Sequence, residues 1–332
     1  MMGMNENIKY DSVIIGSGPA GLTAAIYNAR ADIKTMVIAG NHPGGQLTIT
    51  PMVDNYPGFP NGVGGFKLMM DMQTQVKNFG VEIRQGVVKN VRCQMSNVRS
   101  FEVEMESGEI LETKSIIVAT GAAVKWLGLP KEKELIGHGV SGCATCDGMF
   151  FRDKTVAVVG GGDTACEDAS FLSKFTKKVY MIHRREEFRA SVAEQKKVFE
   201  NSKIEILWNS EVKEINPSKS TPDPSFDLKE GNKLNSIKIF NNKTNEEKIL
   251  EIDGLFVAVG YSPATKFLEG LVELRETGQI ITGKNEILST MTNIEGIFAA
   301  GDCVNEHHRQ AIIAAGQGCL AALEMQSWLN RL

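Results

Sequence analysis

Residues 10–30, YDSVIIGSGPAGLTAAIYNAR, and residues 154–173, KTVAVVGGGDTACEDASFLS, are written in one grammar. Each is a β-branched apolar run, a glycine-rich turn, and then a stretch of small and apolar residues. That order predicts a buried strand, a tight turn and a helix able to lie close on a sheet. The first copy is GxGxxG at Gly16, Gly18 and Gly21; the second is GxGxxA at Gly160, Gly162 and Ala165. In such turns the first glycine permits the bend, the second lets a pyrophosphate approach the backbone, and the third seats the helix against the strand. Phosphate charge then meets unpaired N–H groups at the helix N-terminus. Two copies predict two dinucleotide sites on an α/β fold with two Rossmann-like domains.

Between the two copies, SIIVATGA (115–122) reads as a strand ending in a small-residue turn, and VKWLGLP (124–130) as a linker. After the second copy, GLFVAVGYSP (254–263) is built much like IIVATGA, and GIFAAGDCVNEHHRQAIIAAGQGCLAA (296–322) returns to strand, turn and small-residue helix. The expectation is one domain split by another: 1–123 and 253–332 form the first, and 124–252 the insertion. Inside the insertion, the proline-rich stretch at 217–232 reads as a mobile surface loop.

The segments beyond the turns distinguish the two sites. A plain NAD site expects an acidic ribose ligand about 20 residues on. The first copy instead runs TMVIAGNHPGG (35–45), leading into a further backbone-accessible turn, GGQL (44–47). In the second copy the corresponding strand ends in His183, Arg184 and Arg185, with Arg189 beyond. A carboxylate there would repel a 2′-phosphate, whereas guanidinium groups bind phosphate in a fixed fork, so this site is expected to prefer NADP(H). The bland alternative is a solvated basic turn.

Composition narrows the class. A chain of 332 residues, 42% hydrophobic, can bury a sizeable core and make two ordinary domains. Its 36 basic and 40 acidic residues are mixed along the chain, so no basic face advertises nucleic acid. No leader or membrane span is recognised, and a cytoplasmic location is expected.

Six cysteines are too few for a disulfide scaffold, and only Cys143 and Cys146, in GVSGCATCDGMFF (139–151), form a local group. A zinc site needs about four ligands, and no second CxxC is present; His307 and His308 are adjacent and fall elsewhere. Two buried thiols need not have this spacing or a following acid. The redox reading explains more: two intervening residues let a short disulfide close, the start of a helical turn lowers a thiol pKa, and Asp147 can exchange protons with a thiol. A disulfide does not readily take hydride from NADPH, so a flavin at the first site is the natural relay. No metal is expected.

The series GSGPAG, GGQL, ATGA, CATCDG, GGGDTA, HRREEFRA, VAVGYSP and FAAGDC with RQA, in this order, resembles the low-molecular-weight thioredoxin reductases over nearly the whole chain. The resemblance implies an FAD domain split by an NADPH domain that carries the CxxC, a homodimer, and thioredoxin as the protein partner. It implies that Cys146 faces the flavin, Cys143 exchanges with the thioredoxin disulfide, and Asp147 is the acid. FAD contacts are implied at Gly16, Ser17, Gly18, Pro19, Ala20 and Gly21, at Gly45, Gln46 and Leu47, and at Asn55. Others are implied at Ala119, Thr120 and Gly121, at Gly301 and Asp302, and at Arg309, Gln310 and Ala311. NADPH contacts are implied at Gly160, Gly162, Asp163, Thr164, His183, Arg184, Arg185 and Arg189. Asp163 departs from the neutral amide common in the family and brings a charge toward the cofactor phosphates.

The resemblance further implies that the inserted domain rotates, because a CxxC seated on the flavin cannot also meet a protein substrate. Competing readings are a disulfide reductase serving another small redoxin, a ferredoxin-fed enzyme, against which the arginine cluster argues, and a non-catalytic redox sensor. The surface near MFF (149–151) is expected to recognise the partner or to be core.

Overall fold

The computed structural model describes residues 10–50, 52–94, 100–218, 233–283, 288–305 and 308–332. They divide into two compact units, one running to Ala123 and resuming at Ser262–Leu332, the other Val124–Tyr261.

The first unit is built on a seven-stranded sheet. Tyr10–Ile15 lies between Thr35–Ile38 and Ile110–Val118, all parallel, with Glu82–Arg84 beyond Thr35–Ile38 and Ile297–Ala299 beside the C-terminal half of Ile110–Val118. The N-terminal half of Ile110–Val118 pairs antiparallel with Ser100–Met105, which pairs antiparallel with Val88–Gln94. Val13, Ile14, Ile116, Ile117 and Phe298 are fully buried, as strands covered on both faces require. The helix Pro19–Arg30 gives Ala20, Leu22, Ala24 and Ala25 to a core cluster that it shares with the C-terminal helix Ala311–Leu329. That approach needs a missing side chain: a Cβ on Gly318 would lie 2.0 Å from the Ala20 carbonyl oxygen.

The second unit has a five-stranded parallel sheet in the order Ile204–Leu207, Lys178–Ile182, Thr155–Gly160, Gly254–Ala258, Val140–Ser141. The helix Asp163–Ser173 buries Ala165, Cys166, Ala169 and Leu172 on one face of this sheet. A three-stranded antiparallel sheet, Ser210–Pro217, Leu234–Asn241 and Glu247–Glu251, belongs to the same unit. The proline-rich stretch expected to be mobile lies, from residue 219 to 232, outside the described residues; the residues flanking it meet, with the Ser218 N–H donating to the Lys233 carbonyl at 2.7 Å.

Two expectations from sequence need correction. Gly254–Ala258 does not resume the first domain at residue 253: it pairs in parallel with Thr155–Gly160 inside the second unit, and the chain returns only after Tyr261. An apolar run ending in small residues fits the centre of either parallel sheet, so its composition does not say which one it joins. Nor is VKWLGLP a loose linker. Glu132, 1% exposed, accepts the N–H groups of Leu127, Gly128 and Leu129 at 2.8, 2.7 and 3.3 Å, and Trp126, Leu127 and Leu129 pack on the core of the second unit. Three charge-assisted bonds offset the burial of that carboxylate. Among the described residues no helix is long and apolar enough to cross a membrane.

Candidate active site

Cys143 and Cys146 are joined in a disulfide, with Cα atoms 5.3 Å apart. The pair stands at the end of the edge strand Val140–Ser141, which is held in register by Leu255 and Phe256 of the neighbouring strand. Cys143 caps a single helical turn, Ala144–Asp147, closed by the Asp147 N–H donating to the Cys143 carbonyl at 3.1 Å. The turn is wedged in place: Ala144 is buried beside Ala165, Ala169 and Leu172, and a Cβ on Gly148 would come within 2.9 Å of the Leu172 side chain.

Polar contacts finish the seating. The Tyr261 hydroxyl donates to the Gly142 carbonyl at 2.6 Å. The Ser141 hydroxyl accepts the Cys143 N–H at 3.0 Å and donates to Asp147 Oδ2 at 2.5 Å. Neither Ser141 nor Tyr261 stands out in the sequence. The one available signal is a serine two residues before the first cysteine, the spacing at which a hydroxyl takes the N–H of residue i+2. Of the expected apolar surface, Met149 and Phe150 are about half exposed (47% and 48%), whereas Phe151 is core, edge-on to Phe256 at 5.3 Å.

Cys166 and Cys303, buried and outside any disulfide, differ in kind. Burial pushes the Cys303 thiol up to about 11 and that of Cys166 up to about 12, values at which almost no thiolate exists near neutrality.

In the first unit, the turns expected to meet a dinucleotide gather at the C-terminal ends of the parallel strands, where open α/β sheets bind ligands. Gly16 has φ +117°, and a Cβ there would sit 2.1 Å from the Ala119 carbonyl oxygen; one on Gly21 would sit 1.9 Å from that of Gly16. Gly18 faces open space instead. Ser17, buried, donates to the Ala39 carbonyl at 3.0 Å and accepts the Gly44 N–H at 2.9 Å, which ties the glycine turn to the GGQL turn. Pro19 and Ala20 begin the helix, and Leu47 lies in the short helix Gly45–Ile49. The Gln46 side-chain amide bonds to the Ala122 carbonyl, beside Thr120 and Gly121, and that of Asn55 donates to Gln310 at 3.2 Å. Gly301 donates its N–H to Gln317, next to Asp302, whose carboxyl burial pushes up to about 6 against the pull of Arg309. Ala311 opens the C-terminal helix.

In the second unit, Gly160 and Gly162 lead into the helix Asp163–Ser173, and Gly162, like Gly18, faces open space. The segment after Lys178–Ile182 folds back on this turn: Arg189 N–H donates to the Gly161 carbonyl at 2.7 Å, and Asp163 Oδ1 accepts the Ser191 N–H at 2.8 Å. Arg184, Arg185 and Arg189 are exposed there, as is Thr164. His183 goes the other way. It is 6% exposed, bonded to the Glu187 carbonyl at 3.0 Å and flanked by Phe188 and Trp208. Burial lowers its pKa, so near neutrality it carries no charge for a phosphate; it fills the space that a Cβ on Gly161 would need.

A family model described as pyridine nucleotide-disulphide oxidoreductase matches residues 10–318. The chain belongs to that family. Within it the chain falls among the low-molecular-weight thioredoxin reductases. It is 44% identical to the thioredoxin reductase of Rickettsia conorii over 96% of this chain and 98% of that one, and 42% identical to that of Mycolicibacterium smegmatis over 96% of each. Among solved structures it is similar to thioredoxin reductase from Streptococcus pyogenes (TM-score 0.87, 37% identity, covering 98% of this chain and 100% of that one). The thioredoxin reductase from Giardia duodenalis gives 0.85 at 38% identity, covering 97% and 99%. As a flavoprotein oxidoreductase of this family, the protein uses flavin and nicotinamide cofactors. Its residues fit them: both glycine turns leave an open face at a helix N-terminus, where a Cβ would stand in the way of a pyrophosphate.

Proposed function

We propose that this protein is an NADPH-dependent thioredoxin reductase working through FAD and the Cys143/Cys146 pair. The observation that carries this reading is a disulfide seated beside a hydrogen-bonded carboxyl, on the unit whose glycine turn is met by a segment carrying exposed arginines. FAD would be held by the turns at 16–21, 45–47, 119–121 and 301–302, with Asn55 and 309–311. NADPH would lie on Gly160, Gly162, Asp163 and Thr164, its 2′-phosphate on Arg184, Arg185 and Arg189, while His183 shapes the turn from beneath.

When bound, the flavin supplies a relay between a two-electron hydride donor and a disulfide. Reduction of the Cys143–Cys146 bond takes up two electrons and two protons and leaves two thiols. Cys143, as thiolate, then attacks the thioredoxin disulfide and expels one substrate sulfur; Cys146 attacks the Sγ of Cys143, restores the internal disulfide and expels the second. The two protons given up by the cysteines end on the two substrate sulfurs, and Asp147 holds or passes a proton beside Cys146. Met149 and Phe150 supply an exposed apolar patch for the partner.

The pair must serve both the flavin and a protein, so the reading includes rotation of Val124–Tyr261 about the two crossings at 123/124 and 261/262. It includes a homodimer, favoured by Ile312, Leu320 and Leu323 exposed on the C-terminal helix. It includes a cytoplasmic location, in keeping with four cysteines left unpaired.

The test is oxidation of NADPH by the purified protein with thioredoxin as acceptor and NADH as comparison donor. Thioredoxin-dependent turnover strongly favouring NADPH is expected, falling by about a thousand-fold or more in Cys146→Ser with flavin retained. Flavin bleaching without thioredoxin turnover would redirect the reading to a different disulfide partner.

A further inference from the structure

We propose that the Ser141 hydroxyl is the positioning group for the Asp147 carboxyl during exchange at the Cys143/Cys146 pair. Ser141 is 5% exposed and its backbone is fixed in the sheet opposite Phe256. A hydroxyl has one proton to give. Here two oxygens lie within reach, Asp147 Oδ2 at 2.5 Å and the Cys143 carbonyl at 3.4 Å, and the carboxylate is both the nearer and the stronger acceptor. The lone pair of the same oxygen takes the Cys143 N–H at 3.0 Å. One buried atom on a rigid strand thus fixes the backbone of one cysteine and the side chain next to the other.

The inference rests on the reading of Asp147 as the acid. In each exchange two S–H protons leave the cysteines as the internal disulfide forms, and two are gained by the substrate sulfurs as its disulfide breaks; two electrons pass from the cysteine pair to the substrate pair. A carboxyl that moves one of these protons is effective only in a fixed orientation, and the Ser141 bond is what fixes the orientation of Asp147 beside Cys146. Donation by the hydroxyl also favours the ionised carboxylate, so removing it shifts the pH profile of exchange upward. The neighbouring strand Gly254–Ala258 has no titratable side chain, and Tyr261 is bonded to Gly142. The helix packed on the turn brings Asp163, Cys166, Glu167 and Asp168. None of these is altered by substituting Ser141.

The experiment compares wild type with Ser141→Ala, Ser141→Thr, Asp147→Asn and the Ser141→Ala/Asp147→Asn double variant, all as flavin-loaded holoenzymes. Two rates are read: flavin reduction by NADPH, and thioredoxin reduction as a function of pH. Ser141→Ala is expected to lower kcat for thioredoxin about 10- to 100-fold and to move its pH profile upward. Flavin reduction stays unchanged, and Ser141→Thr recovers most of the loss. In the Asp147→Asn background, Ser141→Ala should cost clearly less, only what the bond from the Cys143 N–H contributes. A loss of equal size in both backgrounds, or a Ser141→Ala profile that superposes on wild type, would overturn the positioning role while leaving the acid in place. Full activity in Asp147→Asn would instead remove the acid itself. If Ser141→Ala does not retain flavin, Ser141→Gly, which equally lacks the hydroxyl, is read in the same cycle.

Discussion

The two glycine turns share a backbone solution and differ in what surrounds it. In the first, the third position must be glycine, because a Cβ on Gly21 would sit 1.9 Å from the Gly16 carbonyl oxygen. In the second, Ala165 occupies that position, and a Cβ on Gly160 would meet both the Ala258 carbonyl oxygen at 2.5 Å and the Ala165 methyl at 2.6 Å. The first turn is bracketed by a neutral hydroxyl, Ser17, reaching to the Ala39 and Gly44 backbones. The second is bracketed by a carboxylate, Asp163, holding the Ser191 N–H, with exposed arginines on the segment it anchors. The helices differ too: Pro19–Arg30 buries the amide of Asn28, whereas Asp163–Ser173 carries Asp168, whose carboxyl burial pushes up to about 7. Close helix–strand packing is therefore common property of the fold, while the two turns differ in the segment that returns to each. The Asp163 charge, which from sequence faced the phosphates, is engaged in ordering that segment.

The two turns should part most visibly at the third position. Gly21→Ala should drive a methyl into a carbonyl and leave a protein that purifies without its yellow flavin. The reverse change in the second turn, Ala165→Gly, should cost only about 1 kcal/mol of stability and leave flavin content intact. Absorbance of the purified variants reads both.

At the next level, Arg184→Ala with Arg185→Ala should raise the KM for NADPH about 10- to 100-fold, the scale of charged hydrogen bonds lost, and leave turnover with NADH nearly unchanged. Equal weakening of both donors would mean that the arginines do not read the 2′-phosphate.

The smallest effect concerns Asp168. Its folded pKa of about 7 lies above the usual carboxylate value, so between those two pH values the folded chain holds a proton that the unfolded chain has released. The stability this brings is present in acid and lost as pH rises through about 7. Asp168→Asn should therefore raise the melting temperature by a few degrees at pH 8, with the gain vanishing toward pH 4. A gain independent of pH would point to packing instead.

Much of this is legible in the chain because its signals are local. Turn glycines, the strand before them and the small residues after them sit within twenty residues of one another, and the CxxC with its aspartate within five. The features that escape depend on partners distant in sequence or on side-chain direction. GLFVA carries no mark of which parallel sheet it enters, so the return crossing falls at 261/262 and not at 253. HRR reads as three basic residues, yet the strand ends at Ile182 and the chain bends there, with His183 buried against Gly161 and Arg184 and Arg185 both exposed. VKWLGLP reads as a linker because the glutamate that fastens it, Glu132, is of a residue type seldom buried. Ser141 is silent because a serine near a turn is commonplace until its hydroxyl is seen on Asp147.

If the two nucleotide sites are wired to the Cys143/Cys146 bond, electrons given to the protein by NADPH must arrive there. An anaerobic titration of the flavin-loaded protein with excess NADPH, with thiols counted at the end, reads this without any protein partner. Flavin bleaching is expected together with two additional thiols per chain, mapped to Cys143 and Cys146 by alkylation. A bleached flavin with the disulfide still intact would contradict that wiring.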